Sequence, residues 1–482
     1  MQPKIASRPS APRWLGAAAP GRDLVRFGIS IAIAAAFSTV QLFVIPRRLD
    51  LVTYGLYRLF LVYVAYLEVL NFGIADGAFL RWAGRTPRFI GREWRVIGRW
   101  LLTIQLALVC VALLVAAFMA PTTQQQYLIA FAAGALFVNA QVLSSYALQA
   151  SGDFRAAGRV AVLAPGVFVV SVFCLPIHTL AAVLTAYVSS RAVTALYAAR
   201  CVATVTSTIY DDDETTGKSA PHAPDIAALI HTGAPVLGAS VAAVLSRSAD
   251  KILVSIATPI TSFARYGFAS TVMVTADVAT LALSRVALSH AARRPHAERA
   301  RFLAGFFDII AAGYGLGLVA EPLFEHLVAR YLPLYENALP ILRALLFGLP
   351  LTVATHVVLV GTLQSHGLVR RQLTVQLCGV ALVLAACGAA LAMHVPLWEV
   401  AAAATVASAL TFAAGVAIVR RAVPEARAQA CLRFTLVVAL QSAALLVALG
   451  STTGWTRQAA VYALIAFVPT WQAARQVREH GW

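Results

Sequence analysis

Long apolar runs alternate with short polar or basic connections along nearly the whole chain. A helix needs about 20 apolar residues to cross a bilayer, and the runs reach that length at roughly 24–45, 54–80, 98–120, 126–149, 158–176, 179–200, 227–256, 265–290, 302–321, 340–364, 371–394, 398–419, 432–450 and 456–474. The ninth run is interrupted by glycines and by Glu321-Pro322, which favours a bent or partly interfacial segment. The pattern predicts an all-α polytopic membrane protein of about 14 spans.

Composition supports this class. The 482 residues are 60% hydrophobic and 12% charged, whereas soluble domains carry about 25% charged residues. The net charge of +17 would suit a nucleic-acid partner. However, the basic residues lie in short connections between apolar runs, which indicates membrane topology instead. The six cysteines have no CxxC spacing, so neither a disulfide framework nor a zinc site is expected.

The distribution of Lys and Arg predicts the orientation. Most of them lie in the two tails and in alternate connections, for example at Arg81–Arg99, Arg155, Arg293 and Arg420. The positive-inside rule therefore predicts that both termini are cytoplasmic, in the inner (plasma) membrane of a bacterium. Residues 1–23 form a cytoplasmic tail, and the first span acts as an uncleaved insertion signal.

An internal repeat divides the chain. The stretch Leu148-Gln-Ala-Ser-Gly-Asp-Phe-Arg155 and the stretch Leu363-Gln-Ser-His-Gly-Leu-Val-Arg370 share the spacing of Leu, Gln, Gly and Arg. Between them, residues 201–226 contain the acidic run 211–214, for which a solvated cytoplasmic linker is favoured over a metal site. We therefore expect a six-helix lobe at 24–200, a second lobe at 227–420 in parallel orientation, and two extra helices with a tail at 421–482.

Several stretches resemble a known family. They are Val44-Ile-Pro-Arg-Arg-Leu-Asp-Leu-Val-Thr-Tyr54-Gly55, Leu70-Asn-Phe-Gly73, Ser248-Ala-Asp250-Lys251 with Arg265-Tyr266-Gly267, and Leu339-Pro-Ile-Leu-Arg343. Together they resemble the Wzx-type O-antigen flippases, which move lipid-linked oligosaccharides and belong to the multidrug/oligosaccharidyl-lipid/polysaccharide exporter (MOP) superfamily. The resemblance extends over nearly the whole chain and is carried chiefly by hydropathy.

The resemblance implies two six-helix lobes around a central, cationic, water-filled cavity. It implies a transporter rather than an enzyme, with an oligosaccharide on undecaprenyl pyrophosphate as the substrate, moved by alternating access with ion coupling. The partners that follow are the lipid bilayer, the lipid-linked oligosaccharide, and polymerase and glycosyltransferase proteins of polysaccharide or lipopolysaccharide synthesis. No cofactor and no nucleic acid is expected.

The seventh and eighth spans carry the first candidate site residues. Arg247 reaches Asp250 and Lys251 at positions i+3 and i+4, so the three share a helix face. They either line the cavity, where Arg would bind phosphate, or neutralise each other near the outer headgroups. Ser240 adds a hydroxyl for sugar binding. Asp277, a carboxylate in the middle of the eighth span, is a candidate for ion coupling or gating, as are Asp250 and Glu68.

The first lobe supplies the remaining candidates for substrate binding. Ser38 and Gln41 follow one face of the first span, and Arg191 lies in the sixth, where cavity lining and snorkelling are equally good interpretations. Arg47 and Arg48 are placed at the outer mouth. His356 in the tenth span has no partner at metal-ligand spacing, which favours a structural histidine.

Two other functions compete with the flippase. A small-molecule or drug cation antiporter of the same superfamily would need a mainly acidic cavity, which Arg191, Arg247 and Lys251 argue against. A membrane-embedded glycan ligase or polymerase would usually need a large outer loop, whereas the outer connections here are short. No nucleotide-binding glycine loop, catalytic triad signature or HExxH motif is present, so ATP-driven transport by this chain alone is not expected.

Overall fold

The computed structural model of the chain describes residues 20–82, 85–120, 122–207, 225–274, 295–423, 428–451 and 454–479. Within these ranges the regular backbone is entirely helical. The helices are α1 (Pro20–Arg48), α2 (Leu51–Val64), α3 (Ile74–Trp82), α4 (Pro87–Ala117), α5 (Thr123–Ala150), α6 (Phe154–Cys174), α7 (Leu180–Ser207), α8 (Ile226–Ala257), α9 (260–274 in its described part), α10 (His296–Ala304), α11 (Phe306–Val319), α12 (Glu321–Tyr331), α13 (Leu339–Ala354), α14 (Gly361–Ser365), α15 (Val369–Ala392), α16 (Leu397–Ala422), α17 (Ala428–Ser451) and α18 (Trp455–Glu479).

Twelve helical segments in the described ranges are long and apolar enough to cross a membrane. They coincide with twelve of the predicted runs. α9 covers the beginning of the eighth predicted run, and the rest of that run lies outside the described residues. α18 is 25 residues long and occupies the position of the fourteenth. The predicted all-α membrane class is therefore confirmed.

The helices form two groups, followed by an additional pair. In the first group α1 packs on α6, and α5 packs on α4 and α7. In the second, α15 packs on α8 and α16, and α16 also packs on α13. α17 and α18 pack on each other and on α11. This arrangement matches the expected two lobes with two extra C-terminal helices.

The second predicted span, 54–80, is not one continuous helix. A 3₁₀ turn at Leu67–Asn71 separates α2 from α3. Phe72 and Gly73 then take positive φ values of 54° and 80°, and the Asn71 side chain accepts a hydrogen bond from the Gly73 amide at 2.8 Å. Asparagine bonding to nearby backbone and glycine's tolerance of positive φ make this break favourable. The ninth run is interrupted at Gly305 and at Ala320, which divides it into α10, α11 and α12, whereas the glycines at 313, 315 and 317 lie within α11.

The repeated motifs form matching helix ends. The amide of Gly152 donates to the carbonyl of Gln149, and the amide of Asp153 donates to the carbonyl of Leu148. In the second copy, Gly367 donates to Gln364 and Leu368 donates to Leu363. Both glycines have positive φ, 81° and 71°. This is the Schellman C-cap, so the repeated glycines are kept for the same backbone reason in both halves.

Backbones of the two lobes touch at the end of the bundle where α3 ends and α8 begins. We call it the basic end, because it carries Arg81, Arg155, Arg200 and Arg370. A Cβ atom built on Gly233 of α8 would lie 1.9 Å from the carbonyl oxygen of Gly73. One built on Gly77 of α3 would lie 2.2 Å from the carbonyl oxygen of Leu229. Only glycine permits this approach, and the lobes are closed here.

The opposite end is closed as well. A Cβ atom on Gly55 of α2 would lie 2.6 Å from the carbonyl oxygen of Ile260 in α9. The Tyr54 ring meets the Tyr335 ring edge-on, with centroids 5.3 Å apart. Phe43 of α1 and Phe324 of α12 make a similar contact at 5.6 Å. Aromatic contacts of this kind and the glycine approach seal the lobes against each other.

Replacing Gly233 with Ala is expected to open the basic end. The new methyl group cannot share space with the Gly73 carbonyl, so the closed contact between α3 and α8 loses stability. The test uses a cysteine-free background that carries Ser240→Cys in the central cavity. Labelling by a membrane-impermeant maleimide from the basic end should rise about fivefold, which corresponds to a shift of ~1 kcal/mol in the free-energy difference between the closed and open conformations. Gly238→Ala, where an added Cβ meets nothing within 4 Å, is the matched control. Equal labelling of both variants would contradict the prediction.

Candidate functional site

A central cavity of about 530 Å³ lies between the lobes. Both halves of the chain line it, and the polar lining residues are Tyr66, Glu68, Gln141, Ser145, Tyr146, Gln149, Ser240, Arg247, His356, Gln364, Gln372 and Gln376. The first half contributes residues near the break between α2 and α3 and from α5 and α6. The second contributes residues from α8, from α14, from α15 and from the segment that joins α13 to α14.

Amides are the commonest side chains of the polar lining. The five glutamines come from α5, α14 and α15, so both lobes present them. In the described lining Arg247 and Glu68 are the residues of charged type, and His356 adds an imidazole. The described cavity is therefore amide-rich and nearly neutral, unlike the cationic cavity that the resemblance implies. Each amide can donate and accept hydrogen bonds at once.

Arg247 lies at the junction of this cavity with a smaller one. The second cavity, about 100 Å³, is inside the second lobe and is lined by Arg247, Asp250, Lys251, Thr352, His356 and Ser408 among others. Arg247 and His356 line both cavities. Asp250 and Lys251 line the smaller one. The three residues that the helical spacing grouped together thus share the smaller cavity, and Arg247 alone of them also lines the central one.

Asp250 and Lys251 are occupied by local contacts. The Tyr266 hydroxyl of α9 donates to Asp250 Oδ2 at 2.7 Å, and Lys251 Nζ lies 3.6 Å from Asp250 Oδ1. Lys251 Nζ also donates to the carbonyl oxygen of Arg247 at 2.5 Å. A buried carboxylate needs such partners to stay in an apolar surrounding. The bond from Tyr266 to Asp250 therefore fixes α9 to α8 beside Arg247.

His356 lies where the tenth span changes its helical winding. Residues Thr355–Val360 form a π-helical turn, a feature frequent at functional sites. Nδ1 lies 2.9 Å from the carbonyl oxygen of Thr352, and a carbonyl only accepts, so Nδ1 carries the proton. Nε2 is buried with no hydrogen-bond partner in the described structure. In the neutral imidazole it is an acceptor available at the junction of the two cavities.

Several predicted residues of the first lobe hold helices together. Gln41 donates to the carbonyl of Pro165 at 3.3 Å, and Arg48 donates to the carbonyl of Val172 at 2.6 Å, so both fasten α1 to α6. Ser38 donates to Ala34 one turn back. Arg47 is exposed at the end of α1. None of the four is among the described residues lining the two cavities.

The other predicted site residues do not all lie in the central cavity. Glu68 and Ser240 line the central cavity, as Arg247 does. Arg191 instead lies over the ring of Tyr187 at 5.0 Å, inside the first lobe. Asp277 lies outside the described residues. Among those that are described, no three His, Cys, Asp or Glu side chains are placed to hold a metal ion.

A buried arginine was missed from the sequence. Arg58 of α2 is 9% exposed, and its Nε has no hydrogen-bond partner in the described part of the chain. It packs against Gly267 of α9, where an added Cβ would lie 3.1 Å from the Arg58 Cβ. The signal was present, since Arg58 follows the repeated Tyr54-Gly55 pair by one helical turn. The sequence places Arg58 near the predicted outer end of the second run, where an arginine that reaches the headgroups is the simpler interpretation.

Comparison with known proteins gives the fold. The chain is similar to a solved structure titled "Lipid II flippase MurJ, inward closed conformation", with TM-score 0.66 and 14% identity over 94% of this chain and 99% of that one. The multidrug transporter DinF-BH of the MATE family gives TM-score 0.60 and 14% identity, over 86% and 98%. An outward-facing MATE family transporter of the MOP superfamily gives 0.56 and 16%, over 86% and 99%.

No protein-family model matches the sequence, and no curated protein sequence matches it. At 14–16% identity the structural similarity shows the fold alone, which this chain shares with these flippase and multidrug-transporter structures. The predicted fold is confirmed at this level. The similarity does not distinguish a Wzx-type protein from other proteins with this fold.

Replacing Tyr266 with Phe should destabilise the junction beside Arg247. The variant loses a hydrogen bond to a buried carboxylate, at a cost of about 1.5–3 kcal/mol. Tyr335→Phe is the matched control, because the Tyr335 hydroxyl is buried without a hydrogen-bond partner in the described structure. Thermal unfolding in detergent should show a lower midpoint for Tyr266→Phe and an unchanged or slightly higher one for Tyr335→Phe. Equal midpoints would contradict the assignment.

Proposed function

We propose that the protein is a membrane transporter that flips an oligosaccharide attached to a polyprenyl pyrophosphate lipid. The central cavity between the repeated halves carries this proposal, because its described lining combines glutamine amides from both lobes with one arginine, Arg247. Amides bind sugar hydroxyls through paired donors and acceptors. The guanidinium group binds phosphate oxygens bidentately. A lipid-linked glycan presents both kinds of group.

The volume suits the sugar portion next to the phosphate. At about 530 Å³ the cavity falls within the size range of small-molecule sites, roughly 300–1,000 Å³. A longer glycan requires the lobes to separate around it. The polyprenyl tail needs no polar cavity and stays in the hydrocarbon layer.

The closed contacts at both ends suit alternating access. By the positive-inside rule the basic end is cytoplasmic. Separation of Gly233 from Gly73 there would admit the glycan from the inner leaflet. Separation of α2 from α9 at the other end would release it and expose Arg58, a second cation for the pyrophosphate. In this scheme Arg247 holds the phosphate in the loaded state and Arg58 receives it.

The site roles follow from these positions. Arg247 binds the pyrophosphate, while Ser240 and the glutamines bind the sugars. Glu68 in the cavity, Asp250 beside it and Asp277 are proposed for ion coupling or gating. Arg47 and Arg48 serve the outer mouth, and Ser38, Gln41 and Arg191 support the walls of the first lobe. A polymerase and glycosyltransferases of the same polysaccharide pathway are the proposed protein partners.

A small-molecule antiporter is the second candidate. Two of the structural neighbours are described as MATE transporters, and Glu68 places a carboxylate in the central cavity. A cationic drug would need a mainly acidic or aromatic cavity, whereas in the described polar lining the glutamines outnumber the one carboxylate and the two tyrosines, and Arg247 adds a positive charge. The lining therefore favours a hydroxyl-rich anionic substrate, and an enzymatic ligase or polymerase has less support than either transporter.

Arg247→Ala is expected to slow flipping about tenfold or more. A charge-assisted hydrogen bond contributes about 1.5–3 kcal/mol, and the variant loses it while the fold keeps the Asp250–Tyr266 bond. The measurement is transfer of a fluorescent polyprenyl-pyrophosphate oligosaccharide between leaflets of proteoliposomes. Arg330→Ala, which removes an exposed arginine at the end of α12, is the control. Transfer by Arg247→Ala at the wild-type rate would refute the proposed role of Arg247.

Gln141→Leu and Gln376→Leu are expected to weaken recognition of the sugar. Each removes an amide from one side of the cavity, and a neutral hydrogen bond is worth about 0.5–1.5 kcal/mol, or roughly twofold to tenfold in affinity. The loss should appear with the glycosylated lipid and not with unglycosylated polyprenyl pyrophosphate, measured by competition in the same assay. Gln126→Leu, at the exposed outer end of α5, should leave both unchanged. Equal losses for the two lipids would argue against sugar contact.

A further inference from the structure

An additional cavity lies on the side of the first lobe that faces away from the central cavity. It measures about 310 Å³ and is formed between α4, α5 and α7. Its walls are mainly apolar, with Leu101, Leu102, Leu136 and Leu143 along its length. Arg95 and Arg99 of α4 stand at its mouth, which lies at the basic end. An apolar groove with two cations at one membrane surface has the shape of a lipid rather than of a soluble ligand.

The two arginines belong to a longer stripe. Arg88, Arg92, Arg95 and Arg99 follow the spacing i, i+4, i+7 and i+11, which places them within about 60° of one helix face. All four are exposed. The positive-inside rule explains why arginines lie at this end of α4. It does not explain their alignment on one face beside a groove.

The groove also contains a donor without a partner. The indole Nε1 of Trp94 is buried and makes no hydrogen bond within the described residues, and Trp94 lines the groove next to Arg95. An indole N–H can only donate, and leaving it unpaired away from water costs free energy. A ligand oxygen at the mouth would satisfy it.

This groove is separate from the proposed substrate cavity. α5 divides them, because Leu136, Ala140 and Leu143 face the groove. Gln141 and Gln149 on the same helix face the central cavity. A molecule in the groove would therefore stay bound while the substrate enters and leaves between the lobes.

We propose that the groove binds an anionic phospholipid of the leaflet at the basic end. Arg95 and Arg99 hold the phosphodiester, the Trp94 N–H donates to a headgroup oxygen, and an acyl chain lies along the leucines between α4, α5 and α7. Basic pockets between membrane helices bind anionic headgroups in this way. The occupant is a membrane phospholipid and not the polyprenyl carrier, since the groove faces away from the substrate cavity.

Two variants test the site, one at the arginines that hold the phosphodiester and one in the apolar groove that holds the acyl chain. Arg95→Ala with Arg99→Ala removes the phosphate contacts. Gly98→Phe fills the groove and keeps both charges, because Gly98 lines the groove and an added Cβ has its nearest neighbour at 3.8 Å. Gly98→Ala is the size control. Arg370→Ala with Arg371→Ala removes two exposed charges at the basic end away from the groove and is the charge control.

The full-length protein in detergent is titrated with phosphatidylglycerol, phosphatidylcholine or undecaprenyl phosphate. Bound lipid is counted by native mass spectrometry, and thermal unfolding is followed in parallel. The wild type and both controls should retain phosphatidylglycerol in preference to phosphatidylcholine. The double arginine variant should bind it at least about tenfold more weakly, since each basic residue near anionic lipid contributes about fivefold. Gly98→Phe should also bind it more weakly, because its ring occupies the space of the acyl chain.

Three results would overturn the proposal. They are equal retention of phosphatidylglycerol and phosphatidylcholine by the wild type, unchanged retention in the double arginine variant, and preference of the groove for undecaprenyl phosphate. If Gly98→Phe fails to fold, the double arginine variant and its charge control still decide the outcome. Flipping activity is not used as a readout, so failure of the proposed transport function would leave this test intact.

Discussion

Backbone contact between α3 and α8 is the constraint on which the arrangement of the lobes depends. Gly73 and Gly77 on one side and Gly233 on the other bring main chains so close that no side chain fits between them. Such contacts gain dispersion energy only while the lobes stay together. A second glycine contact, Gly55 against Ile260, does the same at the other end. The central cavity exists because the lobes meet at both ends and remain apart in the middle.

Charges inside the bundle fall into two groups. Some are neutralised between helices: Arg433 bonds to both oxygens of Asp308 at 2.7 Å, Arg81 pairs with Glu93, and Arg343 bonds to Glu325. Because a charge in an apolar medium is costly unless it is paired, these pairs fix helix positions. Arg247 and Arg58 differ, since Arg247 lines the central cavity and Arg58 is buried against Gly267 of α9, with no hydrogen-bond partner for its Nε among the described residues.

The amide-rich lining changes the picture of how a glycan lipid would be accommodated. A strongly cationic cavity would bind the pyrophosphate tightly and release it slowly. A cavity with one arginine and several glutamines distributes the interaction over many weaker hydrogen bonds, which break one at a time. The groove on the far side of α5 is chemically distinct, with arginines at the membrane surface and leucines below. One helix, α5, thus separates the polar central cavity from the apolar groove.

The sequence by itself determined that the chain is helical, that it crosses a membrane many times and where its repeat lies, because a bilayer demands about 20 apolar residues per span and each helix satisfies its own backbone. It also placed Arg247, Glu68 and Ser240 among the candidates. Only the tertiary structure decided which side chains face the cavity. Gln41 and Arg48 bond to α6 instead, Lys251 turns to Asp250, and the glutamines of α5 and α15 converge from distant positions. These outcomes depend on how each helix is rotated about its axis and on contacts between the lobes. Hydropathy along the chain predicts neither, because it reports only which segments are apolar.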